Sequence, residues 1–323
     1  MTLSEAKAAL RVSWSPDPVR RLRLLGAGAS YWAFLLNETW VCRVARTAAA
    51  RRSLRREATL LPWLAPQLPL PIPVPHFTGR DAQGQLLFAA YPFLPGPNLS
   101  PARYGHLDAP GRARCAAQLG QFLAQLHAVN PAAAPTGGAR VPVFGLDALA
   151  TYLWKRAQRT LYPGAADLEQ QFLARVLDRG NTTGGDDTGG AGPKGLAAFA
   201  AQPVGWLHGD LSHDHVLFNP AAGAVSAVID FGDLRRGEPA WDLVFLYRDY
   251  GPGFVAQLLR IYSPPDPAAL LRRVYYGYQL AVLDGACDAV GPGAAERAKV
   301  TVCRLRRREA VQRRALWTAC GLD

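Results

Sequence analysis

Residues 208–233 read HGDLSHDHVLFNPAAGAVSAVIDFGD. Three of the chain's six histidines and two aspartates fall in the eight positions 208–215. Three readings compete for that density: a zinc nest, a loop whose polar side chains cap neighbouring backbone, and a loop that handles phosphate. HGDLSH half-resembles the HxHxDH of metallo-hydrolases. However, Asp210 stands where the second His belongs and Ser212 where the Asp belongs. No histidine follows His215 to complete a zinc ligand set.

The following residues favour the phosphate reading. HVLFN (215–219) reads as a short strand, PAAG (220–223) as a turn, and AVSAVIDFGD (224–233) as a second strand ending in two carboxylates. A hairpin folded at 220–223 puts His215 opposite residues 228–230 and brings Asp210, His215 and Asp230 to one end. One carboxylate can orient a substrate hydroxyl. A neutral imidazole and a second carboxylate can hold a divalent metal. Phosphoryl transfer needs this set.

Composition bounds the rest. The chain has 323 residues, 49% hydrophobic and 19% charged, enough for one large domain or two lobes. No apolar run reaches membrane-spanning length, and the N-terminus lacks the apolar core of a secretory signal. The five cysteines are scattered without a CxxC pair, which predicts reduced thiols and a cytoplasmic protein. The net charge of +11 is carried almost wholly by arginine. In so Ala-, Gly- and Pro-rich a chain it reads as compositional bias, so no nucleic-acid partner is expected. The basic run 304–314 has helical spacing and reads as a solvated helix face.

Along the chain, residues 21–46 alternate like strands, with a Gly-rich turn and an Asn-Glu turn. Residues 49–64 read as a helix that Pro62 and Pro66 end. LPLPIPVPHF (68–77) has proline at every second position and must be extended. QLLFAAYPFLPG (85–96) is a strand leaving into a loop, and from about residue 108 the pattern is mostly helical. The Gly/Thr/Asp tract 179–195 cannot bury apolar surface and predicts a mobile loop.

HGDLSHDHVLF followed by VIDFGD resembles the aminoglycoside phosphotransferases, relatives of the eukaryotic protein kinases, whose own pattern is HRDLxxxN followed by DFG. Histidine at 215, with IDFGD, is the habit of the 2″-phosphotransferase branch, and macrolide phosphotransferases also use it. The resemblance runs through EPAWDLVFLY (238–247), where Asp242 matches a structural aspartate, and covers nearly the whole chain. It implies an α+β, protein-kinase-like bilobal fold. An antiparallel β-rich nucleotide-binding lobe (1–90) would precede a larger α-helical catalytic and acceptor-binding lobe (91–323), with a hinge at 88–97.

The resemblance also assigns roles. Asp210 would be catalytic, and His215 and Asp230 would hold Mg²⁺. LLGAGAS (24–30), with Gly28 and Ser30, matches the loop over the nucleotide phosphates. Arg43 stands where the family carries a phosphate-contacting Lys, and no lysine lies between Lys7 and Lys155. Glu57 matches its helix partner, and Ala90 and Tyr91 lie at the hinge that reads the purine edge. For the acceptor, Asp233, Glu238 and Asp249 would supply acid and Tyr276 an aromatic surface, with Asp284 and Asp288 as further acids. The implied activity is transfer of the γ-phosphoryl of ATP or GTP to a small-molecule hydroxyl, an aminoglycoside first, by a monomer without membrane partners. A macrolide or another hydroxylated metabolite is the alternative acceptor. A weakly catalytic, pseudokinase-like nucleotide-binding module is the alternative function, hinted at by Arg43 in place of Lys.

Overall fold

The computed structural model describes residues 2–14, 18–81, 83–135, 141–177, 204–289 and 293–322. The tract 179–195, expected to be a loop, lies outside the described residues. Two compact units emerge: residues 1–142 with 208–235, and residues 143–207 with 236–323.

The first unit is built on a five-stranded antiparallel sheet, order β1-β2-β3-β5-β4, formed by β1 (Leu22–Ala27), β2 (Tyr31–Leu36), β3 (Trp40–Ala45), β4 (Phe77–Arg80) and β5 (Leu86–Pro92). Asn37 and Glu38 join β2 to β3 with φ of 49° and 60°. Two left-handed residues in succession are what a tight hairpin turn matched to strand twist requires. Strand alternation then sorts the side chains. Phe34, Leu36, Cys42, Val44, Phe88 and Ala90 face one way, onto helix α1 (Leu3–Ser13) through Ala6 and Leu10, with Trp14 just beyond it. Ala45 and Ala89 face the other way, onto Ala50 and Leu54 of α2 (Ala48–Leu64).

Helix α1 has no counterpart in the sequence reading, although Thr2 and Glu5 form a capping box at its start. Helix α2 ends at Leu64, where the sequence reading puts its end. Pro62 sits in its last turn, and Leu60, Leu61 and Leu64 around it are all buried. The unit is completed by α3 (Pro101–Gly105), α4 (Ala109–Ala128) and the hairpin β8 (Val216–Asn219) to β9 (Ala224–Val228).

The second unit holds a small sheet, order β6-β10-β7, of β6 (Val143–Phe144), β7 (Gly205–Leu207) and β10 (Arg235–Gly237). Around it lie α5 (Leu146–Thr160), α6 (Asp167–Leu177), α7 (Ala240–Tyr250), α8 (Pro252–Tyr262), α9 (Pro267–Cys287) and α10 (Ala294–Ala319). Leu153, Phe172, Val244, Leu280 and Val302 lie in its core. Arg304, Arg307 and Arg308 are exposed on α10, as the 304–314 spacing predicts. Among the described residues no helix is long and apolar enough to cross a membrane.

The packing of α1 is testable. Leu10 is 0% exposed and Val12 86%. Leu10→Ala should cost roughly 2–5 kcal/mol in urea unfolding, and Val12→Ala within about 0.5 kcal/mol. Equal, small effects would mean that α1 does not dock on the sheet.

Candidate active site

The site in the first unit starts from Arg43. On β3 it pairs with Ala33 of β2 and Ala89 of β5, so alanines on both flanking strands leave room for the guanidinium. The strand period turns it away from Cys42 and Val44 and toward α2. It is 5% exposed. Its Nη1 donates to Glu57 Oε2 at 2.6 Å and its Nη2 to Asp230 Oδ1 at 2.9 Å. The guanidinium carbon lies 4.0 Å from the centre of the Tyr31 ring, close enough for a cation–π contact. Burial works against the charge on Arg43, but Glu57 and Asp230 outweigh it and push its pKa up. Burial also pushes Glu57 up, and Arg43 only partly offsets that.

Asp230 follows β9 in the left-handed region, φ 63° and ψ 67°, which Asp tolerates better than most residues. Its Oδ1 also accepts the Gly232 amide at 3.3 Å. Burial would raise its pKa, but Arg43, with His215, His208 and the Gly232 amide, holds the carboxyl below its ordinary 3.8.

The β8–β9 register sets Val216 against Val228, and the Ile229 amide donates to the His215 carbonyl at 2.9 Å. His215 is therefore opposite residues 228–230, as the hairpin reading requires. Its Nδ1 lies 2.7 Å from the Asp210 carbonyl, which can only accept. Nδ1 thus carries the proton, and the Nε2 lone pair points 3.7 Å from Asp230 Oδ2. Asp210 Oδ2 is 3.6 Å from Nδ1. His208, fully buried, accepts the Asp210 amide at Nδ1 (3.3 Å) and donates from Nε2 to the Ile229 carbonyl (2.9 Å). It fixes the loop, and its ring packs at a tilt against Phe231. Gly209, at φ 88°, passes so close to Asp233 that a Cβ would sit 2.3 Å from its carbonyl oxygen. Only glycine fits there.

These residues line one cleft of two arms. The polar arm, about 530 Å³, is lined by Gly28, Ser30, Arg43, Asp210, Asp230 and Asp233, among others. The apolar arm, about 270 Å³, shares Arg43 and Asp230 and adds Val41, Tyr91, Phe93, Leu94, Leu217 and Ile229. Ala90 lines neither arm, and its carbonyl is taken by the His76 amide at 2.8 Å. Among the described residues there is no cluster of three or more His, Cys, Asp or Glu that could hold a metal. His215 and Asp230 form a two-residue set, which suits an ion whose remaining ligands come from water and phosphate.

The other sequence-predicted residues have partners of their own. Asp233 is paired with Arg235 at 2.7 Å. In the second unit, Glu238 pairs with Arg273 and accepts the Leu146 amide at 3.3 Å, capping α5. The Asp249 side chain is 7% exposed and pairs with Arg248 at 2.8 Å. Arg156 binds both Asp284 and Asp288. Tyr276 is 5% exposed, within the helical core. Asp242 is fully buried on α7. Sequence reasoning missed Tyr31, Arg52, Ser53 and Arg56, all in the polar arm. Helical spacing could have found Ser53, four residues before Glu57 and bonded to it at 3.4 Å.

The sequence model of the phosphotransferase enzyme family (APH) matches residues 21–272. The chain belongs to the phosphotransferase enzyme family. No curated protein matches this phosphotransferase in sequence. Its fold is the kinase-like α+β fold of solved relatives. It is similar to a wild-type aminoglycoside 2'-phosphotransferase-IIIa in its GDP complex, at TM-score 0.80 and 21% identity over 96% of this chain and 100% of that one. It is also similar to an aminoglycoside 2″-phosphotransferase-IIa in a ternary complex with streptomycin and ATP, at TM-score 0.69 and 17% identity over 98% and 99%. A macrolide 2'-phosphotransferase from Brachybacterium faecium gives TM-score 0.62 and 22% identity over 93% and 97%.

Two outcomes follow from this phosphotransferase's buried charges. Arg43→Ala leaves Glu57 buried without its cation and should cost roughly 3–5 kcal/mol, whereas Arg43→Lys should retain much of the stability. Unfolding curves that match wild type for Arg43→Ala would contradict the pairing. Because the folded pKa of Asp230 is depressed, its contribution is present above 3.8 and lost only as pH falls through the lower folded value. An NMR titration of its carboxyl carbon should give a midpoint below 3.8, and a midpoint above that would show that Arg43 does not hold it.

Proposed function

We propose that this phosphotransferase moves the γ-phosphoryl group of ATP or GTP to a hydroxyl of a small-molecule acceptor of aminoglycoside type. One observation carries the reading: the Nδ1-protonated His215 stands between Asp210 and Asp230, with its Nε2 lone pair toward Asp230. A ligating histidine held by a backbone carbonyl through its other nitrogen is the usual arrangement at metal centres. The solved relatives bound to GDP, or to streptomycin and ATP, support the nucleotide and the acceptor class.

His215 Nε2 and Asp230 would hold Mg²⁺, whose charge offsets that of the β- and γ-phosphate oxygens. Asp210 orients the acceptor hydroxyl and takes its proton. The acceptor oxygen bonds to the γ-phosphorus as the bond to the β–γ bridging oxygen breaks, and nucleoside diphosphate leaves. Gly28 and Ser30 cover the phosphates, and Arg43 and Glu57 brace the metal-side carboxylate. The base lies in the apolar arm beside Tyr91. Ala90 has given its carbonyl to His76 and the Phe93 amide is bonded to Thr39, so the purine edge falls to the Phe93 carbonyl and the Leu94 backbone. Residues 1–90 then act as the nucleotide-binding lobe and 91–323 as the catalytic and acceptor lobe, in a cytoplasmic monomer.

A second acceptor class has its own support. Glu238 and Asp249 each pair with an arginine, and Asp284 and Asp288 share Arg156. That leaves little free acid for a polycation and favours a macrolide or another less charged hydroxylated metabolite.

Nucleoside diphosphate release, measured with both nucleotides and a panel of aminoglycosides, macrolides and amino-alcohols, decides between them. Phosphorylation of at least one acceptor is expected, and none from any class would contradict the function. With a genuine acceptor, Asp210→Ala should lower turnover by roughly 10²–10⁴-fold while nucleotide affinity stays close to wild type. Near-normal turnover would remove Asp210 from its role.

A further inference from the structure

Both guanidinium ends of Arg43 are committed, one to Glu57 and one to Asp230. Its charge is already balanced inside the protein. The polar arm nevertheless carries two more arginines, Arg52 and Arg56, from the N-terminal half of α2. We propose that Arg52 and Arg56 are a phosphate-binding pair, which supplies the free positive charge that holds the terminal phosphates of a nucleoside triphosphate. This rests on the reading of the cleft as a nucleotide site.

Several features of α2 favour an anion beside it. Arg52 and Arg56 are four residues apart, so they share one helix face and repel each other. The only acid on the helix is Glu57, and Arg43 occupies it. Ala49, Ala50 and Ser53 of the same helix line the arm beside them, so this face of α2 is a wall of the cleft and not outer surface.

Arg56 is partly pre-positioned. Its Nη2 donates to the Gly232 carbonyl at 3.1 Å and lies 3.4 Å from Ser53 Oγ, while its Nε is buried without a hydrogen-bond partner among the described residues. Arg52 is exposed at the cleft edge. The acids of the arm are disposed differently. Asp230 is held by Arg43 and Asp233 by Arg235, and among the described residues no acid of the arm pairs with Arg52 or Arg56. An incoming polyphosphate would therefore meet net positive charge on the α2 side, and a metal would meet carboxylate on the Asp210–Asp230 side.

Equilibrium binding of ATP and GTP with Mg²⁺, and of adenosine and guanosine as phosphate-free probes, tests this by calorimetry. The proteins are wild type, Arg52→Gln, Arg56→Gln and the control Arg55→Gln, an exposed α2 arginine outside the cleft. Arg52→Gln and Arg56→Gln should each weaken triphosphate binding about ten-fold or more, the loss of one charged hydrogen bond. Nucleoside affinity should not move, the salt dependence should flatten, and Arg55→Gln should match wild type. Arg52 is exposed, so its variant keeps the test intact should Arg56→Gln fold poorly. Unchanged triphosphate affinity, or an equal loss for triphosphate and nucleoside, overturns the pair while the nucleotide site stands. A wild-type protein that binds neither ATP nor GTP overturns the nucleotide site itself, and the pair with it.

Discussion

A buried arginine held between two carboxylates is the constraint on which the first unit depends. Arg43 reaches Glu57 at 2.6 Å and Asp230 at 2.9 Å from a strand position that is 5% exposed. Arg43 and Glu57 are withdrawn from water, at a cost that is offset only if they and Asp230 meet in good geometry. That requirement fixes which face of β3 points at α2, how far along α2 the glutamate must sit, and where β9 must deliver its aspartate. Small residues on both neighbouring strands make the space. Asp230 makes the connection from a left-handed backbone. One ion cluster therefore ties a strand, a helix and the carboxylate that follows β9 into a single body.

The histidines perform the corresponding task for the loop at 208–215. His208 is a structural group: each ring nitrogen is bonded to backbone, and the ring is sealed against Phe231. His215 differs in having one nitrogen bound to backbone and the other toward Asp230. The same side-chain type thus serves as scaffold at one position and as candidate ligand at the other. What separates them is the number of ring nitrogens the backbone claims.

Some of this is legible in the sequence for physical reasons. The 220–223 turn starts the register, which shifts by one residue at a bulge between Leu217 and Phe218, and with or without that shift His215 lies opposite 228–230. The Asn37–Glu38 turn and the β1–β3 meander are equally local. Helix α1 is harder to see, because its apolar stripe is short, Leu3, Ala6 and Leu10 with Trp14 just past its end, and its capping box is the clearer signal. Strand β4 is short and follows a proline-rich run. Its Gly79 lies so close to the Phe88 ring that a Cβ would sit 2.0 Å away, a tertiary reason that sequence does not display. The partners of Glu238, Asp249, Asp284 and Asp288 are least legible of all. A carboxylate's availability depends on which arginine the fold brings to it, and for Glu238 and Arg273 that partner is 35 residues away.

The most direct test of the central claim is a crystal structure with a non-hydrolysable ATP analogue and Mn²⁺, with the metal located by its anomalous signal. The account predicts a metal bound by His215 Nε2 and Asp230, touching the nucleotide's phosphates, with the base in the apolar arm beside Tyr91. A nucleotide bound elsewhere, or a metal that neither His215 nor Asp230 touches, would contradict it.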